Sequence, residues 1–191
     1  FPHIYGPINL NAVIDVIDFA CDEQGTFMLP AQLQTFSIVN ITDAMHHWQL
    51  AAELSVREWK KYFPNDTAQT YLDLYGQTGQ YAGHFAETYV AESTSGELIG
   101  MASLVDDDEL PDSFEPGPWL AAVLVAPTHR TRGVGSTLVH CIVNRAHQLG
   151  HPEIFLYTSD QQQWYADKGW TALRETSLNG IAHTVMRLQL R

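Results

Sequence analysis

Residues 119–136 read WLAAVLVAPTHRTRGVGS, and no other stretch restricts the fold so sharply. The first eight are apolar without a break. A strand of that kind is buried on both faces, so it needs a sheet with cover on each side. Pro127 ends it. Arg130, Arg132, Gly133 and Gly135 follow within six positions, and an amphipathic helical pattern runs from about Val134 to Leu149, closed by Gly150. Glycines let backbone N–H groups approach a ligand closely. A helix start carries partial positive charge, and arginines add charge-assisted bonds to phosphate oxygens. Strand, Gly/Arg loop and helix together read as a cradle for a phosphate-bearing ligand.

The other elements place that cradle. "TFSIVNIT" reads as a short strand. Asp43 is expected to cap a helix over about Ala44–Tyr62, with Trp48, Ala51, Ala52, Val56 and Trp59 on one face. "TAQTYLDLYG" is a second helix. "FAETYVAES" and "ELIGMASLV" form a hairpin, and the acidic loop "DDDELPDSFEPGP" leads into the apolar strand. "EIFLYT" is another buried strand, "SDQQQWYADKG" a short helix, and "WTALRETSLNG" with "IAHTVMRLQL" a hairpin across Asn-Gly. The order β α α β β β α β α β β gives an α/β domain with a mixed sheet.

Charge and composition exclude several classes. A net charge of −12 disfavours nucleic acid, and with only ten Lys and Arg in the chain the pair in the loop stands out. No apolar run reaches the ~20 residues of a membrane span, so no membrane partner is expected and a cytoplasmic location is. Cys21 and Cys141 lie far apart and read as buried small hydrophobes in a reducing compartment. His46-His47 is the only adjacent pair among nine histidines; it has no i,i+4 spacing and no nearby partner motif, so no metal is expected. The chain begins at Phe1 rather than Met, which suggests a segment upstream.

Three kinds of phosphate loop compete for residues 130–137. A Walker loop needs Lys before its Ser/Thr, and none stands there. A dinucleotide-binding turn needs a third glycine where Leu138 stands. "VLVAPTHRTRGVGSTLV" is closely similar to the acetyl-CoA-binding motif of the GNAT acetyltransferases, R/Q-x-x-G-x-G/A between an apolar strand and a helix. "LYTSDQQQWYADKGW" supplies Tyr165, Gly169 and Trp170 where that family has its Tyr-x-x-x-Gly-Phe. The resemblance spans about Gln34 to Arg191. Residues 1–30, through "FPHIYGPINLNAV", resemble the closing end of a small bacterial domain of unknown function, DUF952. The expected division is a segment 1–31, the remnant of an upstream domain, and a GNAT domain over 32–191.

The GNAT resemblance implies a mixed central sheet with splayed central strands flanked by helices. It implies that Val123, Leu124 and Val125 hold the pantetheine arm. Arg130, Thr131, Arg132, Gly133, Val134, Gly135 and Ser136 would hold the pyrophosphate, Lys168 would reach the nucleotide phosphate, and Tyr165 would act as the acid. The implied reaction is transfer of acetyl from acetyl-CoA, as co-substrate, to a primary amine, with a backbone N–H of Val123 or Leu124 on the oxyanion. The family's common glutamate is absent from "LAAVLV", so the base is sought at Glu87, Glu92 or Asp106 to Glu109, or in a water chain. Trp48, Glu53, Trp59, Trp119 and His183 are candidates to line the acceptor pocket. The acidic balance favours a cationic small molecule, such as a polyamine or aminoglycoside, or a peptide amine. A homodimer is left open. The missing carboxylate keeps a second reading: an acyl-CoA-binding sensor of the same fold without turnover. A scaffold that binds only a protein partner is opposed by the intact loop.

Overall fold

The computed structural model describes residues 36–76 and 85–190. The expected strand in "NAVIDVIDF", Cys21 and the segment 1–31 lie outside the described residues. Seven strands form one sheet: β1 Phe36–Asn40, β2 Ala86–Ser93, β3 Leu98–Val105, β4 Trp119–Val125, β5 Glu153–Thr158, β6 Thr171–Leu178 and β7 Ile181–Gln189. Four helices, α1 Trp48–Trp59, α2 Ala68–Gly76, α3 Val134–Gln148 and α4 Gln162–Ala166, complete the order read from the sequence. The sheet runs β1-β2-β3-β4-β5-β7-β6, antiparallel except where β4 meets β5.

Alternation along the strands divides the core between two faces. Tyr89, Ala91 and Leu104 pack with Leu138, Ile142 and Ala146 of α3. Val90, Met101 and Leu124 point the other way and pack with Ala51 and Ala52 of α1 and Tyr75 of α2. Burying Leu138 and Ile142 completely contributes roughly 1.5–3 kcal/mol each, which fixes α3 against the sheet. Gly100 allows that approach: a Cβ there would stand 2.9 Å from the Leu124 carbonyl oxygen and 3.0 Å from Leu138 Cδ1. Cys141 is buried, as expected of it.

The first helix differs from the sequence reading. It begins at Trp48 after a 3₁₀ turn, Met45–His47, and neither start has a side-chain cap. Asp43 is exposed in the preceding turn, where Asn40 Oδ1 accepts bonds from Thr42 N and Thr42 Oγ1 instead. Ser55 rather than Val56 completes the buried face, its hydroxyl 3.3 Å from Tyr75 OH and 3.7 Å from Met101 Sδ.

Two irregularities of β4 open the sheet at its centre. β4 and β5 share a single register pair, Trp119↔Phe155, and diverge beyond it. On its other edge, Met101 pairs with Leu124 and Ser103 with Ala121, so Ala122 and Val123 together oppose only Ala102. Ala122 takes a positive φ of 54° at this bulge. A bulge leaves a residue out of the ladder and frees its backbone groups for other partners.

Candidate functional site

The fork between β4 and β5 opens into a cavity of about 1110 Å³. The Gly/Arg loop closes one end. Thr131 and Gly133 both adopt left-handed backbone, φ 61° and 83°, a conformation found in anion-binding nests of backbone N–H groups. Gly133 is the N-cap of α3 and offers no side-chain cap, so the first-turn N–H groups stay available to an anion. Gly135 lies in that turn, and a Cβ there would stand 3.4 Å from Val125 Cγ2 and 3.7 Å from the Trp164 ring. Arg130 is exposed at the cavity rim with its Nε donating to the Val125 carbonyl at 3.1 Å.

Of the residues expected to hold the ligand, Val123, Leu124, Val125, Arg130, Thr131, Gly133, Gly135 and Ser136 line the cavity. Arg132 is exposed on the loop and is not part of the lining. Val134 is 2% exposed and belongs to the core under α3. Lys168 sits 4.0 Å from the centroid of the Trp164 ring, and burial lowers its pKa. Tyr165 lines the cavity beside Trp164, the rings 4.8 Å apart and edge to face. Burial, reinforced by the charge of Asp160, pushes its phenol above the usual range, so it stays protonated at neutral pH.

The other end of the cavity is built from the α1–α2 segment, residues 107–109 of the acidic loop, the end of β5 and His183. It is aromatic and acidic. Trp59, Tyr62, Tyr71 and Tyr157 line it, with seven carboxylates against two Lys or Arg side chains around the whole cavity. Tyr71 donates to Asp66 at 3.0 Å, and Tyr157 to the Asp108 backbone carbonyl at 3.2 Å. Burial, then the charges of Glu109 and Asp107, raise the Asp108 carboxyl well above the usual carboxylate range. Arg174 holds the acidic loop in place through two bonds to Glu115, at 2.8 and 2.9 Å, and two to Asp112, at 3.0 Å to its carboxylate and 3.3 Å to its backbone carbonyl.

His183 is 3% exposed, between the rings of Tyr62 at 5.1 Å and Tyr157 at 5.4 Å. Its Nδ1 lies 2.8 Å from the Ile181 carbonyl. A carbonyl only accepts, so Nδ1 carries the proton and Nε2 of the neutral ring holds a lone pair.

The remaining sequence candidates divide clearly. Trp59 and His183 belong to the cavity, as do Asp107, Asp108 and Glu109. Glu87 does not: Arg145 donates to both of its oxygens at 2.7 Å and Tyr89 to one at 2.9 Å, on the α3 side of the sheet. Asp106 and Glu92 lie outside the lining. Trp119 is 1% exposed and packs in the core against Phe155. Trp48 donates to the Ile41 carbonyl at 2.7 Å and packs on Tyr75, while Glu53 is exposed and bonded to Gln49. Tyr62 and Tyr157 escaped the sequence reading; the aromatic content of "KKYFPND" and "FLYTS" was the available signal, and only tertiary structure joins them.

The pair His46-His47 also has a partner that the sequence reading did not find: both rings meet Glu92, 45 residues from His47. Among the described residues, no helix is long and apolar enough to cross a membrane.

The model of the acetyltransferase (GNAT) family matches residues 46–167. Solved structures share the fold. An acetyltransferase of the GNAT family from Staphylococcus aureus superposes with a TM-score of 0.60 at 15% identity, covering 82% of this chain and 99% of that one. The spermidine N-acetyltransferase of Vibrio cholerae, solved with CoA and spermine, gives 0.60 at 15% identity over 82% of this chain and 96% of its own. The N-acetylglutamate synthase of Neisseria gonorrhoeae, solved with coenzyme A and N-acetyl-glutamate, gives 0.59 at 17% identity over 83% of this chain and 36% of its own. No curated protein matches the sequence.

Proposed function

The chain belongs to the GNAT acetyltransferase family, and from that premise we propose that it transfers the acetyl group of acetyl-CoA to a cationic primary amine. One observation carries the reading. A single cavity has a phosphate-suited loop at one end, a strand fork in the middle and an aromatic, carboxylate-rich wall at the other. The loop suits a pyrophosphate, the fork a pantetheine arm laid along β4, and the far wall an alkylammonium group, which aromatic faces and carboxylates both attract.

The residues have distinct tasks in this reading. An ammonium has no lone pair, so the amine must lose a proton before or during attack. His183 is the proton acceptor we favour: it lines the acceptor end, and its Nδ1–H bond places the lone pair of the neutral ring on Nε2. The amine nitrogen then bonds to the thioester carbon. The carbonyl electron pair moves onto oxygen, where the Val123 N–H at the β4 bulge is the donor at hand. Collapse breaks the C–S bond. Tyr165, held protonated by burial, donates to the departing thiolate.

The test is calorimetric titration of acetyl-CoA, followed by thiol release with polyamines, aminoglycosides and peptide amines. Saturable binding and turnover of a cationic amine are expected. His183→Ala should lower kcat by about 10²-fold or more with acetyl-CoA affinity unchanged, and added imidazole should restore part of the loss. No binding by folded protein would overturn the proposal. Binding without turnover of any amine would favour the non-catalytic reading that the carboxylate-free β4 keeps open.

A further inference from the structure

We propose that His46, His47 and Glu92 form a divalent transition-metal site, separate from the acyl-transfer cavity. The site begins in the strand. Tyr89 and Ala91 of β2 face α3, while Val90 faces α1, so alternation sends Glu92 out on the α1 side. The ladder to β3 shifts register between Ala91 and Glu92, which raises the local twist where that carboxylate leaves the sheet. The 3₁₀ turn before α1 sets two consecutive imidazoles above it, their centroids 4.0 Å apart and their planes inclined by 42°.

The geometry is convergent. His47 Nε2 lies 2.8 Å and His46 Nε2 3.2 Å from the same oxygen, Glu92 Oε2. The three potential ligand atoms all fall within 4.8 Å of one another. Tetrahedral coordination at about 2.0–2.1 Å separates neighbouring ligand atoms by roughly 3.3–3.4 Å. An ion would be admitted by widening the N···O distances to that value, by about half an ångström at His47 and less at His46, and by turning the exposed His46 ring to bring the two Nε2 atoms to the same separation. Ligation uses the Nε2 lone pair of each neutral ring, so in the metal-bound form both rings carry their proton on Nδ1.

Burial is divided in a way that suits a ligand site. The His47 side chain is 6% exposed and held by its surroundings, whereas that of His46 is 62% exposed. The inner ligand is preorganised, and the outer one leaves room for a water on the fourth position. Two imidazoles and one carboxylate favour Zn²⁺, Ni²⁺ or Cu²⁺ over Mg²⁺ or Ca²⁺, which take mostly oxygen. None of the three residues lines the cavity. An ion here would fasten the start of α1 to β2; the far end of that helix carries Trp59, a wall of the acceptor end.

The experiment uses the full chain without an affinity tag, stripped of metal and titrated with ZnCl₂ by calorimetry. Melting temperature is followed in parallel, and CoCl₂ serves as a spectroscopic probe. One saturable site, a higher melting temperature and the visible absorption of four- or five-coordinate Co²⁺ are expected. Affinity should fall at least tenfold in His46→Asn and in Glu92→Gln. His46 is exposed, so its variant tests the site even where Glu92→Gln proves poorly folded by circular dichroism. Absence of saturable binding would overturn the proposal, and so would binding that both folded variants retain, since that would place the ion on other histidines. The readouts do not depend on acetyl transfer, so they stand or fall apart from the proposed reaction.

Discussion

Replacing Gly135 by alanine separates folding from ligand binding, because stability should rise while binding stays nearly unchanged. Gly135 lies in the first turn of α3, and glycine within a helix is about 0.5–1 kcal/mol less favourable than alanine. Near a helix end the lower figure applies. The added methyl would meet Val125 Cγ2 at 3.4 Å and Trp164 atoms at 3.7 and 3.8 Å, which is ordinary contact with side chains that can yield. The variant should therefore gain about 0.5 kcal/mol, or roughly 1–2 °C in melting temperature for a chain of this size. The same methyl borders the cavity between the end of β4 and Trp164, where the pyrophosphate is proposed to lie, yet the family motif admits alanine at this position, so the backbone N–H bonds to the ligand should survive. Losing one hydrogen bond to a charged group would cost about 1.5–3 kcal/mol, and each 1.4 kcal/mol is tenfold in affinity. Urea denaturation and acetyl-CoA calorimetry on the same sample should show equal or higher stability with binding within about threefold of the parent. A loss of tenfold or more would refute the reading of this turn as the family's phosphate loop. A variant that loses stability would refute the packing argument.

Two further predictions probe the frame around the site. Gly100→Ala drives a methyl to within 2.9 Å of a backbone oxygen and 3.1 Å of Val134 Cγ1. It should cost about 1–3 kcal/mol and weaken acetyl-CoA binding by displacing the start of α3; an unchanged melting temperature would contradict it. Glu115 is held down to about 2 by its bonds to Arg174, against an ordinary value of 4.5. Its folded pKa is depressed, so its stabilisation is present above about pH 4.5 and fades as pH falls toward 2. Glu115→Gln should be less stable than the parent at neutral pH and converge with it near pH 2 in thermal melts; a constant difference across that range would contradict the ion-pair account.

The sequence carried the element order because local signals define it. Val134, Leu138, Ile142 and Ala146 repeat every four residues and are all buried, and Asn179-Gly180 makes the final turn. The phosphate loop was equally legible, since its glycines and arginines are contiguous. What failed to show depends on contacts across the chain. Asp43 has the chemistry of a cap, but the chain enters a 3₁₀ turn first, and Asn40 takes the local bonds. Trp119 has the size of a pocket wall, yet the single β4–β5 pair places it below the fork, in the core. Glu92 is far from His46-His47 in sequence and adjacent only after β2 folds beneath the turn.

The bulge at Ala122 explains why the cavity lies where it does. Alanine gives no sequence signal for left-handed backbone, and that conformation costs an L-residue roughly 1–2 kcal/mol. The flanking pairs, Met101 with Leu124 and Ser103 with Ala121, hold it in place. On the opposite edge, β4 has already parted from β5. A strand free on one edge and bulged on the other keeps backbone donors and acceptors outside the ladder in the middle of a buried sheet. Such groups need partners, because an unpaired buried amide costs about as much as a lost hydrogen bond. An extended pantetheine arm carries two amides suited to that edge, so the irregularity that sequence could not announce is the feature that best supports the proposed placement of the ligand along β4.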